Sequence, residues 1–201
     1  MIRAVLADYG AGNLRSVVSA LARAGATAEI TTDPAAVREA PLAVIAGVGH
    51  VESAARGLAA TGLDDALRER AAAGRPVLGI CVGMQLLFEQ SEEGGAGLGL
   101  LEGPVVRLRA RRVPHMGWNA LRATRSSALL DGVEGEDVYF AHSYAVVPSE
   151  ASVTAASVNH DGSVVAAVEC GPLAGVQFHP ERSGLAGARI LENALAWSRS
   201  A

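Results

Sequence analysis

The chain has 201 residues, half of them apolar and only 4% aromatic, with a formal net charge of -4 at pH 7. That length lets one domain, expected to span residues 1–201, bury most of its unfolded surface without disulfide or metal staples. The acidic balance argues against a protein that works by neutralising phosphate backbones, so no nucleic-acid partner is expected.

The predicted elements alternate from the start. Residues 2–9, IRAVLADY, read as a buried strand, and NLRSVVSALARAG as a helix with Leu14, Val17, Val18 and Leu21 on its apolar face and Gly25 as its stop. TAEITT is a second strand and LAVIAGVG a third; residues 58–73 carry helical spacing, and PVLGIC is a fourth strand running straight into a helix over VGMQLLFEQS. Alternation of this kind predicts an α/β fold, a central mostly parallel sheet flanked by helices. After Gly94 the texture changes to glycine-rich turns and short β-type runs, including GPVVRLRARRV, WNALRA, DVYFAHSYAVV, ASVTAASV, SVVAAVEC and LAGVQFH. Additional strands, many antiparallel, are expected there. A last helix over LAGARILENALAWSR turns Leu185, Ile190, Leu191, Ala194, Leu195 and Trp197 inward.

Two cysteines, Cys81 and Cys170, form no disulfide framework and no paired metal-ligand pattern, which fits a reducing compartment. No run approaches a membrane span and no charged leader precedes the first strand, so a cytoplasmic protein without a membrane partner is expected. His50, His115, His142 and His160 lack metal-site spacing, and no metal or cofactor is expected. Arg15 stands where a dinucleotide fingerprint after the first strand would need its third glycine. Cys170 lacks the paired glycines of an elbow and reads as a structural thiol. The basic run Arg107–Arg112 fits a partner-binding stripe or a solvated strand edge.

Gly79-Ile80-Cys81-Val82-Gly83 has the spacing of a nucleophile elbow at a strand-to-helix bend, where glycines permit a tight turn at the sheet's carboxyl edge. A helix starting after Cys81 would favour a thiolate and offer backbone N–H groups to an oxyanion. Taken alone, Cys81 fits a small buried hydrophobe equally well. In VQFHPE, Pro180 is expected to stop the strand and leave His179 at the sheet edge, with Glu181 two residues on and facing the same way to orient the imidazole. By itself that pair also fits a strand-end histidine beside a solvated glutamate.

GICVGMQLLFE together with FHPE resembles the class I, or triad, glutamine amidotransferases, whose layered fold is flavodoxin-like. The resemblance implies Cys81 as nucleophile, His179 as general base and acid, and Glu181 as its orienter. DYGAGN (8–13), GVG (47–49), PHMGWN (114–119), HSY (142–144) and HPERSG (179–184) narrow it, over nearly the whole chain, to the glutaminase subunits of imidazole glycerol phosphate synthase. PHMGWN is the most specific of these.

The family then implies that Val82 and the Gly47-Val48-Gly49 loop hold the oxyanion, and that Gln85, Glu93, Ser143 and Tyr144 hold the amino-acid end of L-glutamine. It also implies a cyclase partner with a (β/α)8 barrel, met through Asn13, Trp118, Tyr139, the PHMGWN segment and Arg182. Trp118, flanked by Gly117 and Asn119, fits an interface anchor in a loop, with core packing as the alternative. Ala46 stands where the family usually has proline, so a less rigid oxyanion loop is expected. Three rivals remain open at this level: a class I glutaminase serving another pathway, a non-catalytic scaffold subunit, and a cysteine peptidase on a similar sheet.

Overall fold

The structure, a computed structural model, describes residues 2–10 and 12–199. Ala11, inside the DYGAGN signature, lies outside the described residues. The first half runs β1 (Ile2–Ala7), α1 (Leu14–Arg23), β2 (Ala26–Thr31), α2 (Pro34–Glu39), β3 (Leu42–Gly47), α3 (Val51–Thr61), α4 (Leu63–Ala72), β4 (Val77–Cys81) and the short α5 (Val82–Gln85). The second half runs β5 (Gln90–Ser91), β6 (Pro104–Arg107), β7 (His115–Ala120), β8 (Arg122–Ala123), β9 (Asp137–His142), β10 (Tyr144–Val146), β11 (Thr154–Asn159), β12 (Ser163–Cys170), β13 (Leu173–Val176) and α6 (Gly184–Trp197).

The main sheet has the order β2-β1-β3-β4-β13-β12-β11-β8. Its first five strands are parallel and the last three antiparallel. β3 and β4 are buried along their whole length, as strands covered on both faces must be, and their sequences are correspondingly continuous apolar runs. β13 comes from the far end of the chain yet inserts beside β4, so the parallel core recruits a strand from the antiparallel half. Smaller sheets, β10-β6-β5 and β7-β9, carry the remaining strands.

Among the helices, sequence and structure part in four places. The helix expected over 58–73 is two helices: Gly62 adopts φ 70, a left-handed value that glycine takes freely, and so ends α3 and opens α4. α2, too short for periodicity to reveal, starts at Pro34 with Asp33 accepting the Ala35 N–H at 2.9 Å as its N-cap. The helix expected over VGMQLLFEQS stops at Gln85 after about one turn. On α6, Leu185 is 91% exposed, whereas Ile190, Leu191, Ala194, Leu195 and Trp197 are buried as expected. Leu185 sits in the first turn of α6, just after the 3-10 turn at Pro180–Arg182.

Arg70 on α4 is buried and anchors the entry to the two central strands. It donates to the carbonyls of Pro76 (2.9 Å), Val37 (2.8 Å), Ala40 (2.6 Å) and Pro41 (3.0 Å). Burial, reinforced by the Arg75 charge, lowers its pKa to about 10, which leaves it cationic at neutral pH. A guanidinium donates through a rigid planar fork, so these bonds fix the residues just before β3 and β4. The carboxyl ends of the same strands carry Gly47 and Cys81.

Candidate active site

Parallel register sets the site's geometry. Gly47 lies opposite Cys81 across β3 and β4, and Val176 opposite Ile80 across β13 and β4, so three strands end at one level. Cys81 holds φ 55 and ψ -111, a conformation few non-glycine residues adopt, with its side chain almost wholly buried. The flanking glycines are required by contact. A Cβ at Gly79 would lie 2.5 Å from the Gly83 carbonyl oxygen, and one at Gly83 would lie 1.8 Å from the carbonyl oxygen of Ile45. The G-x-C-x-G spacing therefore encodes a bend folded tightly onto β3.

His179 follows β13, its N–H bonded to the Tyr139 carbonyl at 2.8 Å. The strand stops at Val176, three residues earlier than the sequence suggested, and Pro180–Arg182 forms a 3-10 turn. Glu181 thus reaches back to His179 around a turn, not along an extended strand: its Oε1 accepts from Nδ1 at 2.9 Å, with both side chains over nine-tenths buried. Burial pulls the His179 pKa down, but hydrogen bonds to Cys81 and Glu181, and their charges, outweigh it and raise the value to about 10. With Nδ1 committed to Glu181, the imidazole's other nitrogen is left for Cys81. The second Glu181 oxygen is buried without a partner, as is the Tyr9 hydroxyl. Tyr9 lies where a Gly47 side chain would be, and its ionisation is opposed by burial, then by Cys81 and Asp8.

A cavity of about 330 Å³ opens beside Cys81, lined by Val48, Gly49, Val82, Gln85, Glu93, His142, Ser143 and Tyr144 among others. Glu93 is held in place by His50 Nδ1 at 2.9 Å and the Val51 N–H at 3.0 Å. Gln85 spends its amide N–H groups on the Tyr144 carbonyl (2.9 Å) and Gln177 Oε1 (3.0 Å), so it meets a ligand only through Oε1. A larger concavity of about 900 Å³ lies by Arg111, His115, Trp118 and His160 and holds no nucleophile. Among the described residues no group of three or more His, Cys, Asp and Glu side chains is arranged to hold a metal ion.

A cysteine on a strained elbow, paired with a histidine that a buried carboxylate orients, is the arrangement of a thiol acyl-transfer site. The class-I glutamine amidotransferase family profile matches residues 5–197. The chain belongs to the class I glutamine amidotransferases. It is 48% identical over 190 residues to the imidazole glycerol phosphate synthase subunit HisH of Moorella thermoacetica, covering 92% of this chain and 90% of that one. To HisH of Mycolicibacterium paratuberculosis it is 47% identical over 195 residues, covering 94% and 95%. It therefore belongs with the HisH subunits inside the larger family. Solved structures agree in fold: a glutamine amidotransferase (TM-score 0.76, 21% identical, covering 96% of this chain and 99% of that one) and PurLQS of Thermotoga maritima (TM-score 0.76, 20% identical, 98% and 99%).

The residues expected at a partner face gather beside this site. Arg182 stacks over the Tyr139 ring at 5.3 Å, and Trp118 meets the same ring edge-on at 5.9 Å. Trp118 is 57% exposed and lies on β7, not in a loop, and its exposure removes the core-packing alternative. Asn13, exposed, borders a small cleft with Gly47, Val48, His179 and Glu181. Ala46 lies inside β3, buried and opposite Ile80, so the freedom gained by lacking proline is restrained by the sheet. Cys170 is exposed at the end of β12, not packed in the core. Sequence reading missed Gln177, which is fully buried and donates to Cys81 Sγ at 3.6 Å. Its signal was a polar side chain between Val176 and Phe178 in an apolar run.

Proposed function

We propose that this chain, acting as a single domain, is the glutaminase subunit of an imidazole glycerol phosphate synthase, with Cys81, His179 and Glu181 as its triad. The observation that carries the triad is the juxtaposition of the elbow cysteine with the His179–Glu181 pair at the ends of parallel β4 and β13. The Cys81 thiolate attacks the γ-carboxamide carbon of L-glutamine, and the developing oxyanion is met by backbone N–H groups of Val82 and the Gly47-Val48-Gly49 loop. Val82 opens a helical turn, where N–H groups have no partner within the helix. Collapse of the tetrahedral intermediate breaks the C–N bond, and the His179 imidazolium gives its proton to the departing nitrogen.

A γ-glutamyl thioester remains. Neutral His179 then takes a proton from water, whose oxygen attacks the thioester, and release of glutamate restores the thiolate and imidazolium. Glu181 holds the imidazole with Nδ1 towards it throughout. Glu93 and the Oε1 of Gln85 face the substrate's α-ammonium group, with Ser143 and Tyr144 completing the wall.

Ammonia leaving into water at neutral pH becomes ammonium and loses its nucleophilic lone pair. The product must therefore pass directly to a cyclase subunit with a (β/α)8 barrel, which docks over Asn13, Trp118, Tyr139 and Arg182. The near-half identity to HisH subunits over more than nine-tenths of the chain supports that partner. The setting is cytoplasmic histidine synthesis, and no helix among the described residues is long and apolar enough to cross a membrane.

The test is glutamate release from glutamine by this chain alone and with the cyclase subunit and its ribotide ligand. Stimulation by the loaded partner, abolished in Cys81→Ser with an unchanged melting temperature, is expected. Hydrolysis retained by Cys81→Ser would overturn the nucleophile assignment.

A further inference from the structure

The hydrogen bonds behind the nucleophile form one directed chain. The Tyr144 carbonyl can only accept, and it is reached by both Gln85 Nε2 at 2.9 Å and His142 Nδ1 at 2.8 Å, which together use its two lone pairs. That one oxygen sets every donor around it. Gln85 must turn its NH2 towards Tyr144, so its second N–H goes to Gln177 Oε1 at 3.0 Å. Gln177 must then turn its own NH2 the other way, towards Cys81 Sγ at 3.6 Å. The Gln177 amide orientation thus follows from the network without any hydrogen being seen.

On the outward side, His142 carries its proton on Nδ1, so its Nε2 accepts from His115 Nδ1 at 3.1 Å. His115 Nε2 in turn accepts from Asn119 Nδ2 at 3.3 Å, and that amide also donates to the Asn159 carbonyl at 2.9 Å. Burial, aided by His160, lowers the His115 pKa to about 4. Burial also lowers that of His142 to about 4 against the bond to Tyr144, so both rings hold these fixed tautomers at neutral pH.

We infer that Gln177 is a positioning residue for Cys81, its amide held by Gln85 and the Tyr144 carbonyl so that one N–H steers the nucleophilic sulfur. The inference rests on the reading of Cys81 as nucleophile. Gln177 is 0% exposed between two equally buried apolar residues, where an apolar side chain would fill the space without the desolvation a primary amide suffers. Its donor points at the sulfur that carries the nucleophile's negative charge before attack. An N–H bond to a thiol is weak, but it becomes charge-assisted and roughly twice as strong towards a thiolate. The bond therefore favours the attacking form and fixes its direction, while making no contact with substrate.

The test compares Gln177→Met, which removes the donor at similar volume, and Gln177→Leu, which removes it with a smaller apolar side chain. Alkylation of Cys81 by iodoacetamide at pH 7, followed on the Cys81 peptide by mass spectrometry, is expected to slow about 3- to 10-fold in both variants. With the cyclase subunit bound, kcat for glutamine hydrolysis is expected to fall about 10-fold while KM stays within about 2-fold, because the Tyr144 carbonyl still holds Gln85 at the substrate wall. Should Gln177→Met lose its thermal transition, Gln177→Leu carries the comparison. Unchanged alkylation in the folded variants would overturn the inference whatever the hydrolysis assay gives, and so would a raised KM at unchanged kcat. Failure of the nucleophile reading shows differently, as wild-type hydrolysis that Cys81→Ser does not alter.

Discussion

Replacing Glu181 by glutamine tests the electrostatics of the site most directly. The carboxylate lies 2.9 Å from His179 Nδ1 with both side chains nearly buried. At an effective dielectric constant of about 20, that separation gives an attraction of about 6 kcal/mol between carboxylate and imidazolium. A glutamine oxygen keeps a neutral hydrogen bond worth about 1 kcal/mol, so about 5 kcal/mol of support for the imidazolium is removed. If half of that support develops as neutral His179 takes a proton from the attacking water and that step limits turnover, kcat falls about 100-fold, at 1.36 kcal/mol per tenfold.

The same substitution carries a pH signature. His179 has a native value of about 10 against an ordinary 6.5, so the fold binds an extra proton between them. Its stabilising contribution is complete below pH 6.5 and lost as pH rises through about 10. Glu181→Gln lowers the upper limit of that window. The variant is therefore less stable than wild type at pH 7, and the gap closes towards pH 10. The glutamine NH2 takes the place of the unpartnered Glu181 oxygen, an offset that does not vary over this range. Urea unfolding at several pH values between 7 and 10, beside steady-state hydrolysis with the partner, reads both effects. A wild-type kcat, or a stability gap independent of pH, would refute this account.

Gly83→Ala is expected to abolish soluble expression or cost more than about 3 kcal/mol in urea unfolding, because its Cβ would fall 1.8 Å from a backbone oxygen of β3, a strand buried on both faces that cannot move aside. A variant as stable as wild type would show that the elbow does not pack on β3 as described. Arg182→Glu removes the cation stacked on Tyr139 and reverses the charge beside exposed Trp118; the affinity for the cyclase subunit is expected to fall at least about 10-fold, measured by titration calorimetry. Unchanged affinity would remove Arg182 from the docking face.

Local chemistry was readable in the sequence wherever a short stretch carries its own constraint. Apolar runs such as LAVIAG and VLGIC must be strands buried on both faces, and their alternation with helical spacing predicts the parallel half of the sheet. Gly79 and Gly83 bracket Cys81 because the bend admits no side chain at either position. The six-residue α2, the break at Gly62 and the single turn of α5 escaped because hydrophobic periodicity needs about three turns to declare itself. Pairing across long separations was beyond the pattern altogether. Placing β13 beside β4, and so His179 against Cys81, is decided by which buried strand faces fit together. Glu181 reaches His179 through a turn that the spacing had suggested was extended. The Asn119 to Cys81 chain joins four separate segments, and its direction depends on one carbonyl having two lone pairs, a constraint that exists only once the chain has folded.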